Sequence, residues 1–239
     1  MTESLHILFE DNHCIAVAKP AGLLTQGVPA AIPTLEGMVK AYIKEKYQKP
    51  GNVYLGIPHR LDRPVSGVVL FARNTKAAQR LAEQFRDRKV TKIYWGAVEG
   101  TIEPPEGVWE DWLRKIQDEA RAERAEPNAA GAKLATLRYR TLQTLIPGPS
   151  PGGTLIEFHP VTGRMHQIRI QAGVRGHPLL GDQLYGSTRA FGPAAELPRD
   201  RIIALHARSL TFLHPISYEP ITLTAPLPAL WKEMGVSQE

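Results

Sequence analysis

The 239-residue sequence contains one cysteine, Cys14, and has no long apolar run. A single cysteine excludes a disulfide framework within the chain and a cysteine-rich zinc site. No segment approaches the roughly 18 apolar residues that a membrane-spanning helix needs. The first four residues also lack the basic-then-apolar order of a secretory signal. We therefore expect a protein of the reducing cytoplasm that does not enter membranes.

The excess of basic residues is small but unevenly distributed. There are 29 Lys and Arg against 24 Asp and Glu, which gives a net charge of +5, and the 43% hydrophobic content is typical of a globular protein. The basic residues form two groups along the chain: Arg60, Arg63, Arg73, Arg80, Arg86, Arg88, Lys89 and Lys92, then Arg164, Arg169 and Arg175. Arginine binds phosphate through paired hydrogen bonds, so nucleic acid is a candidate partner. Solvated helix faces explain Arg80, Arg86 and Arg88 equally well.

Apolar periodicity and turn residues predict an α+β fold with a mixed, largely antiparallel sheet. Helices are predicted after Thr34 and Asn74, since each of these residues can cap the helical pattern that follows it. The predicted strands are 5–9 and 14–18 as a hairpin, then 67–72, 93–99, 136–145, 154–158, 202–213 and 221–223, with a long turn at 147–153.

Residues 100–131 differ from the rest of the chain in composition. Prolines at 104, 105 and 127 flank a charged, alanine-rich stretch, 114–126, with little apolar periodicity. We predict that this region is a surface insertion, partly helical, within a single domain that spans residues 1–239.

The segment His59-Arg60-Leu61-Asp62-Arg63-Pro64-Val65-Ser66-Gly67 combines charge with helix-breaking residues. It is predicted to be a loop that leads into a buried strand. An aspartate between two arginines is kept ionised by the adjacent positive charge and can act as a nucleophile, a general base or a metal ligand. A purely structural ion pair that closes the loop is the alternative.

Two further segments carry polar groups in unusual settings. In Gly163-Arg164-Met165-His166-Gln167-Ile168-Arg169, side chains rich in hydrogen-bonding groups alternate with apolar ones, which a plain surface helix does not need. In Lys92-Ile93-Tyr94, the tyrosine can offer a flat stacking face to a base or can pack in the core.

These segments, together with Lys19-Pro20-Ala21-Gly22, resemble the motifs of RluA-type RNA pseudouridine synthases and occur in the order found in that family. The resemblance covers roughly residues 5–225. It implies a stand-alone catalytic domain of the pseudouridine synthase fold that isomerises a uridine in ribosomal or transfer RNA. It also implies that RNA is the partner and that no cofactor or metal takes part, and we expect a monomer.

The resemblance assigns roles to individual residues. Asp62 matches the catalytic aspartate, Arg60 the arginine that takes the place of the extruded base, and Tyr94 the tyrosine that stacks on the uracil. Arg169 matches the basic residue that pairs with the catalytic carboxylate, with Ile168 packed beside it. The remaining RNA contacts expected from these motifs, with Arg60 and Ile168, are His59, Arg63, Lys92, Arg164 and His166. Gln171 stands where many relatives have histidine, and we expect this position to be peripheral.

Three other functions fit parts of the pattern. A nucleoside or glycoside hydrolase would need Glu157 or Asp182 as an acid partner for Asp62. A non-catalytic RNA-binding protein would not need the carboxylate. A metal site would have to use the chain's eight histidines, but His59, His166, His177 and His206 lack the spacing of metal ligands.

Overall fold

A computed structural model of the protein describes residues 5–27, 32–145 and 153–236. The chain divides into two compact units. Unit 1 comprises Met1–Thr91 and Ala207–Pro226, and unit 2 comprises Lys92–His206 and Leu227–Glu239. The single domain inferred from the sequence stays a prediction.

The described residues form ten strands and four α-helices. The strands are β1 (His6–Glu10), β2 (Cys14–Lys19), β3 (Ser66–Ala72), β4 (Thr91–Glu99), β5 (Glu106–Lys115), β6 (Ala122–Ala125), β7 (Lys133–Leu145), β8 (Gly153–Pro160), β9 (Leu205–Leu213) and β10 (Pro220–Thr224). The α-helices are α1 (Leu35–Lys46), α2 (Thr75–Arg86), α3 (Gln167–Gly173) and α4 (Ala229–Glu233). Short 3-10 helices at Gln183–Tyr185 and Pro198–Asp200 complete the set.

In unit 1 the strands lie in the order β1-β2-β3-β9, with β10 added to β9. The pairs β1/β2, β2/β3 and β9/β10 are antiparallel. Helix α2 buries Ala77 and Leu81 against Leu70 of β3 and Phe212 of β9. The two helix starts follow the sequence prediction.

Both predicted N-caps form in unit 1. The Thr34 hydroxyl accepts a hydrogen bond from the Gly37 N–H at 3.1 Å, and the Asn74 side chain accepts one from the Ala77 N–H at 2.9 Å. Each bond satisfies a helix N–H that has no partner within the helix.

In unit 2 the strands lie in the order β4-β8-β7-β5-β6. Directly paired residues point to the same face of a sheet. The pairs Tyr94 with Phe158 and Phe158 with Tyr139 therefore mark one face. On that same face, Ile170 of α3 packs against Leu113, Ala122 and Ala135.

The partly helical structure predicted for residues 100–131 is wrong. Most of this region is strand, with β5 and β6 paired antiparallel and β5 also paired to β7. Burial alternates along β5, since Trp109, Asp111 and Leu113 face inward. The alternation was hidden in the sequence because one of the inward residues is an aspartate.

The α+β class with a mixed, largely antiparallel sheet is confirmed by this architecture. The hairpin 5–18 and the later strands occur within a few residues of their predicted bounds. Of the turn predicted at 147–153, residues 147–152 lie outside the described part of the chain.

Among the described residues, no helix is both long enough and apolar enough to cross a membrane.

We predict that Gly67→Ala strongly destabilises the protein. Gly67 has φ +121°, and a Cβ there would overlap the Ala207 carbonyl oxygen and lie 2.6 Å from the Ala207 nitrogen. Gly131→Ala is the matched control, because Gly131 has φ +76° but open space around its missing side chain. Thermal unfolding should show a loss of about 3 °C for Gly131→Ala and of about 10 °C or more for Gly67→Ala. Equal losses would show that the backbone contact is unimportant.

Candidate active site

The loop that carries Asp62 is held by residues of the segment after β2. The Thr25 hydroxyl donates to the Leu61 carbonyl at 2.9 Å and accepts from the Leu61 N–H at 3.3 Å. The Gly22 N–H donates to the Arg63 carbonyl at 2.8 Å, and Arg63 Nε donates to the Gly22 carbonyl at 2.9 Å. Asp62 therefore lies between Leu61 and Arg63, and the backbones of both are held by hydrogen bonds to the segment after β2. One bond of Arg63 thus stabilises this loop, and the RNA contact expected of Arg63 stays a prediction.

Lys19 adds a third tie to the same loop. Its side chain is 1% exposed, and its Nζ donates to the carbonyls of Pro20, Leu23 and Arg63 at 2.9, 2.7 and 3.2 Å. Burial lowers the pKa of Lys19 to about 7, although the negative charge of Asp62 acts in the opposite direction. The Lys19-Pro20-Ala21-Gly22 motif and the Asp62 loop thus form one structure.

Side-chain exposure alternates across the centre of this loop. Leu61 is buried, Asp62 is half-buried and Arg60 is exposed. Arg60 has no hydrogen bond or ion pair to any residue in 5–27, 32–145 or 153–236. Asp62 therefore lies in a fixed loop two residues after an exposed arginine, and the roles expected of both residues stay predictions.

His59 has a local structural role. Its ring stacks on Phe85 of α2 with the centroids 4.6 Å apart, and its Nε2 accepts the Leu70 N–H at 3.0 Å. These contacts tie the start of the loop to β3 and α2. The RNA contact expected of His59 stays a prediction.

Tyr94 and Lys92 lie on β4 in unit 2, and both are half-buried. Tyr94 is outside the set of buried core residues, so its ring is partly open to solvent. Lys92 Nζ would lie 3.7 Å from a Cβ at Gly163, which places this motif beside the Gly163-Arg164 turn. Within unit 2, two of the motifs recognised in the sequence are therefore adjacent.

Polar residues at the start of α3 and just before it close the turn that leads into the helix. Gln167 is buried, and its Oε1 accepts from the Thr162 hydroxyl at 2.7 Å and from the Arg164 N–H at 3.0 Å. Arg164 Nε donates to the Leu134 carbonyl at 3.0 Å. His166 has φ 53°, in the left-handed region, and its Nδ1 lies 2.7 Å from the Tyr185 hydroxyl. Ile168 is buried, and the packing and the RNA contact expected of it stay predictions.

Arg169 forms a buried ion pair with Asp182. Its Nε and Nη2 donate to the two carboxylate oxygens at 2.7 and 2.8 Å, and the two side chains are 7% and 1% exposed. The pairing of Arg169 with Asp62 stays a prediction.

Tyr185 is a site residue that the sequence analysis does not identify. The Arg169 guanidinium lies over its ring, 5.0 Å from the ring centre. Gly181 and Gly186 flank this segment, and both have positive φ. These two glycines are the sequence feature that could have pointed to the turn carrying Tyr185.

Gln171 is not peripheral, contrary to the sequence-based expectation. It is 0% exposed, and its Nε2 donates to the Trp109 carbonyl at 3.1 Å and to Asp111 Oδ2 at 2.8 Å. Arg175 Nη1 donates to the same Asp111 oxygen at 2.7 Å. The buried position of Gln171 is thus explained by its partners on β5.

The acid partners considered for a hydrolase are both engaged. Burial alone would raise the pKa of Glu157, but hydrogen bonds with His159, Trp95 and Arg140 lower it below the ordinary value. A general acid at a glycosidic bond needs the opposite shift. Asp182, the other candidate, is held by both donors of Arg169.

One group of possible metal ligands occurs among the described residues, and it is not the one considered in the sequence. Atoms of Asp11, Cys14 and His214 lie within 4.8 Å of one another. His214 Nδ1 accepts the Ser217 N–H at 3.0 Å, so its Nε2 carries the proton and donates to Asp11 at 2.8 Å. Burial and the Asp11 charge raise the pKa of the Cys14 thiol to about 12. A metal needs the thiolate and an unprotonated ring nitrogen, so these contacts favour a structural cluster.

Comparisons of sequence and of structure both find similarity to RNA pseudouridine synthases. The sequence profile for RNA pseudouridylate synthase matches residues 13–173. The chain is 35% identical over 221 residues to the dual-specificity RNA pseudouridine synthase RluA of Haemophilus influenzae, covering 92% of each protein. It is 32% identical over 240 residues to tRNA pseudouridine synthase C of the same species, covering 96% of each. The solved structure of Human RNA Pseudouridylate Synthase Domain Containing 4 shares the fold, with a TM-score of 0.75 at 23% identity over 96% of this chain and 91% of that one.

We predict that Lys19 makes the stability of the protein rise with pH above 7. The folded pKa is about 7 and the ordinary value is 10.5, so between these values the unfolded chain binds more protons than the folded one. Urea unfolding of the wild type and of Lys19→Met should diverge by about 3 kcal/mol between pH 7 and pH 9.5 in favour of the wild type. Lys40→Met, which removes a partly exposed lysine of α1, is the control and should follow the wild type. Parallel curves for all three proteins would contradict this assignment.

Proposed function

We propose the catalytic centre from one premise: this chain belongs to the RNA pseudouridylate synthase family and is an isomerase that converts uridine in RNA to pseudouridine. The reaction breaks the bond between uracil N1 and ribose C1′, turns the base, and joins C5 to C1′. The C5 hydrogen leaves as a proton and N1 gains one, so there is no redox change and no net hydrolysis.

Asp62 is proposed as the catalytic carboxylate. The observation that carries this proposal is the set of bonds from Gly22, Thr25 and Lys19 that fixes the backbone on both sides of Asp62. An ionised carboxylate can act at the anomeric carbon, as in retaining glycosidases, or can abstract a proton. Either action requires the carboxylate to be held at a defined position against the sugar.

Arg60 and Tyr94 are proposed to handle the extruded base. A base inside folded RNA has to leave its stack, which costs a few kcal/mol. Arg60 is exposed, and its long cationic side chain is able to enter the space that the base vacates. The partly open ring of Tyr94 supplies a stacking face, a contact worth roughly 1–3 kcal/mol per base.

Arg169 is proposed to pair with Asp62, since a guanidinium group binds a carboxylate through charge-assisted hydrogen bonds. Lys92, Arg164 and His166 are proposed as contacts to the RNA backbone. In support, all three are half-buried rather than enclosed, and Lys92 lies beside the turn that carries Arg164.

We propose transfer or ribosomal RNA as the substrate, because one relative is named dual-specificity and another is named for tRNA. We further propose that the protein acts as a monomer in the cytoplasm, since one chain supplies every residue assigned here. Mapping pseudouridines in RNA from cells with and without the protein identifies the substrate. A map that does not change would contradict the assignment to cellular RNA.

We expect Asp62→Asn to abolish isomerisation while the fold and most RNA affinity persist, because the substitution keeps the side-chain volume and removes the charge. The assay is release of tritium from uridine C5 in total RNA of cells that lack the protein. The rate should fall by a factor of about a thousand or more. Asp118→Asn, at an exposed position after β5, is the control and should keep the full rate. A residual rate well above a thousandth would rule out Asp62 as the nucleophile or base.

Tyr94→Phe should bind RNA nearly normally and slow turnover, whereas Tyr94→Ala should impair both. Stacking needs only the ring face, while the hydroxyl can act only in orientation or proton transfer. Binding, single-turnover rate and melting temperature are measured for both variants. If Tyr94 is an ordinary packing residue, Phe will be silent in all three measurements and Ala will mainly lower the melting temperature.

A further inference from the structure

Arg169 is oriented by a contact on one edge of its guanidinium group. Nε and Nη2 both donate to Asp182, a side-on bidentate geometry that fixes the plane and the direction of the group. In this geometry Nη1 lies on the edge away from Asp182. Because both side chains are buried, the pair is shielded from water and keeps one geometry.

Tyr185 supports the same guanidinium group from its face. The Arg169 Cζ lies 5.0 Å from the centre of the Tyr185 ring, within the range of a cation–π contact. Asp182 and Tyr185 belong to one short turn, in which the Tyr185 N–H donates to the Asp182 carbonyl at 3.0 Å. The approach of this turn to α3 is close, since a Cβ at Gly173 would lie 2.6 Å from the Tyr185 carbonyl oxygen.

The Tyr185 hydroxyl extends the support in two directions. It lies 2.7 Å from His166 Nδ1, and it donates to the Ala122 carbonyl at 3.0 Å. The Ala122 N–H also approaches the hydroxyl, at 3.3 Å. One tyrosine therefore contacts the arginine and the histidine of the Gly163–Arg169 motif and connects them to the edge strand β6.

We propose that Asp182 and Tyr185 are positioning residues that set the orientation of Arg169 for the isomerase reaction, with Tyr185 also fixing the His166 ring. This inference rests on the proposed function, in which Arg169 pairs with Asp62. Asp182 acts by fixing the guanidinium plane, and Tyr185 acts by preventing that plane from tilting.

A second ion pair, formed by Arg175 just after α3 with the buried Asp111 of β5, provides a matched control. Asp111 accepts from Arg175 at 2.7 Å and from Gln171 at 2.8 Å, and it is as buried as Asp182. Asp111→Asn removes a carboxylate from this second pair without changing any contact of Arg169 described above. It should lower the melting temperature and leave the chemistry unchanged.

The experiment measures kcat and KM by tritium release from uridine C5. The variants are Arg169→Gln, Asp182→Asn, Tyr185→Leu, Tyr185→Phe and Asp111→Asn, all assayed well below their melting temperatures. Arg169→Gln should reduce kcat by about a hundredfold or more. Asp182→Asn and Tyr185→Leu should reduce kcat roughly tenfold and leave KM within about threefold of the wild-type value. Tyr185→Phe, which keeps the ring, should fall between Tyr185→Leu and the wild type.

The outcomes separate the two proposals. If Arg169→Gln reduces kcat but Asp182→Asn and Tyr185→Leu behave like Asp111→Asn, the positioning role is wrong and the role of Arg169 stands. If Arg169→Gln itself leaves kcat unchanged, the proposed role of Arg169 is wrong, and the inference is overturned with it. If Asp182→Asn does not fold, Tyr185→Leu decides, because it removes the ring from one face of the arginine and leaves Asp182 in place.

Discussion

Backbone polar groups in a loop have no ladder of helix or sheet bonds, so a buried loop needs partners from other parts of the chain. The Asp62 loop obtains them from Lys19, Gly22 and Thr25 over sequence separations of 36 to 44 residues. Its conformation is therefore set by tertiary contacts and not by local propensity. A loop held in this way can be as rigid as a strand and still place a half-buried carboxylate beside an exposed arginine.

In unit 2, the seven-residue helix α3 likewise depends on contacts with distant parts of the chain. α3 is too short to be stable alone, and three of its first five residues, Gln167, Arg169 and Gln171, are polar although they are buried. Each buried polar side chain of α3 instead donates to a defined partner: Arg169 to Asp182, Gln171 to Asp111 and Gln167 to the Thr136 carbonyl. Satisfied polar contacts of this kind select one arrangement of the helix, because any rotation would leave buried donors without acceptors.

Much of the fold could be predicted because its signals are local. Thr34 and Asn74 cap their helices, and the apolar run at β3 forms a strand, since capping and burial depend on residues close in sequence. The strands of 100–131 could not be predicted, because the inward position of Asp111 is made possible by Arg175 and Gln171, which lie 60 or more residues away. For the same reason Gln171 was taken for a peripheral residue. The motif residues were found through resemblance, but Tyr185 belongs to no motif that was recognised, and its contacts become visible only in three dimensions.

Both units are built from two separate stretches of sequence, and this affects the order in which the protein can fold. Unit 1 needs β9 and β10 after residue 206, and the core of unit 2 includes Trp231 and Val236. A bond between Asp11 and His214 closes a sequence separation of 203 residues. During synthesis from the N-terminus, neither unit can complete its core until its second stretch of sequence has left the ribosome. The long-range contacts of both units make this step slow compared with the folding of a helical bundle.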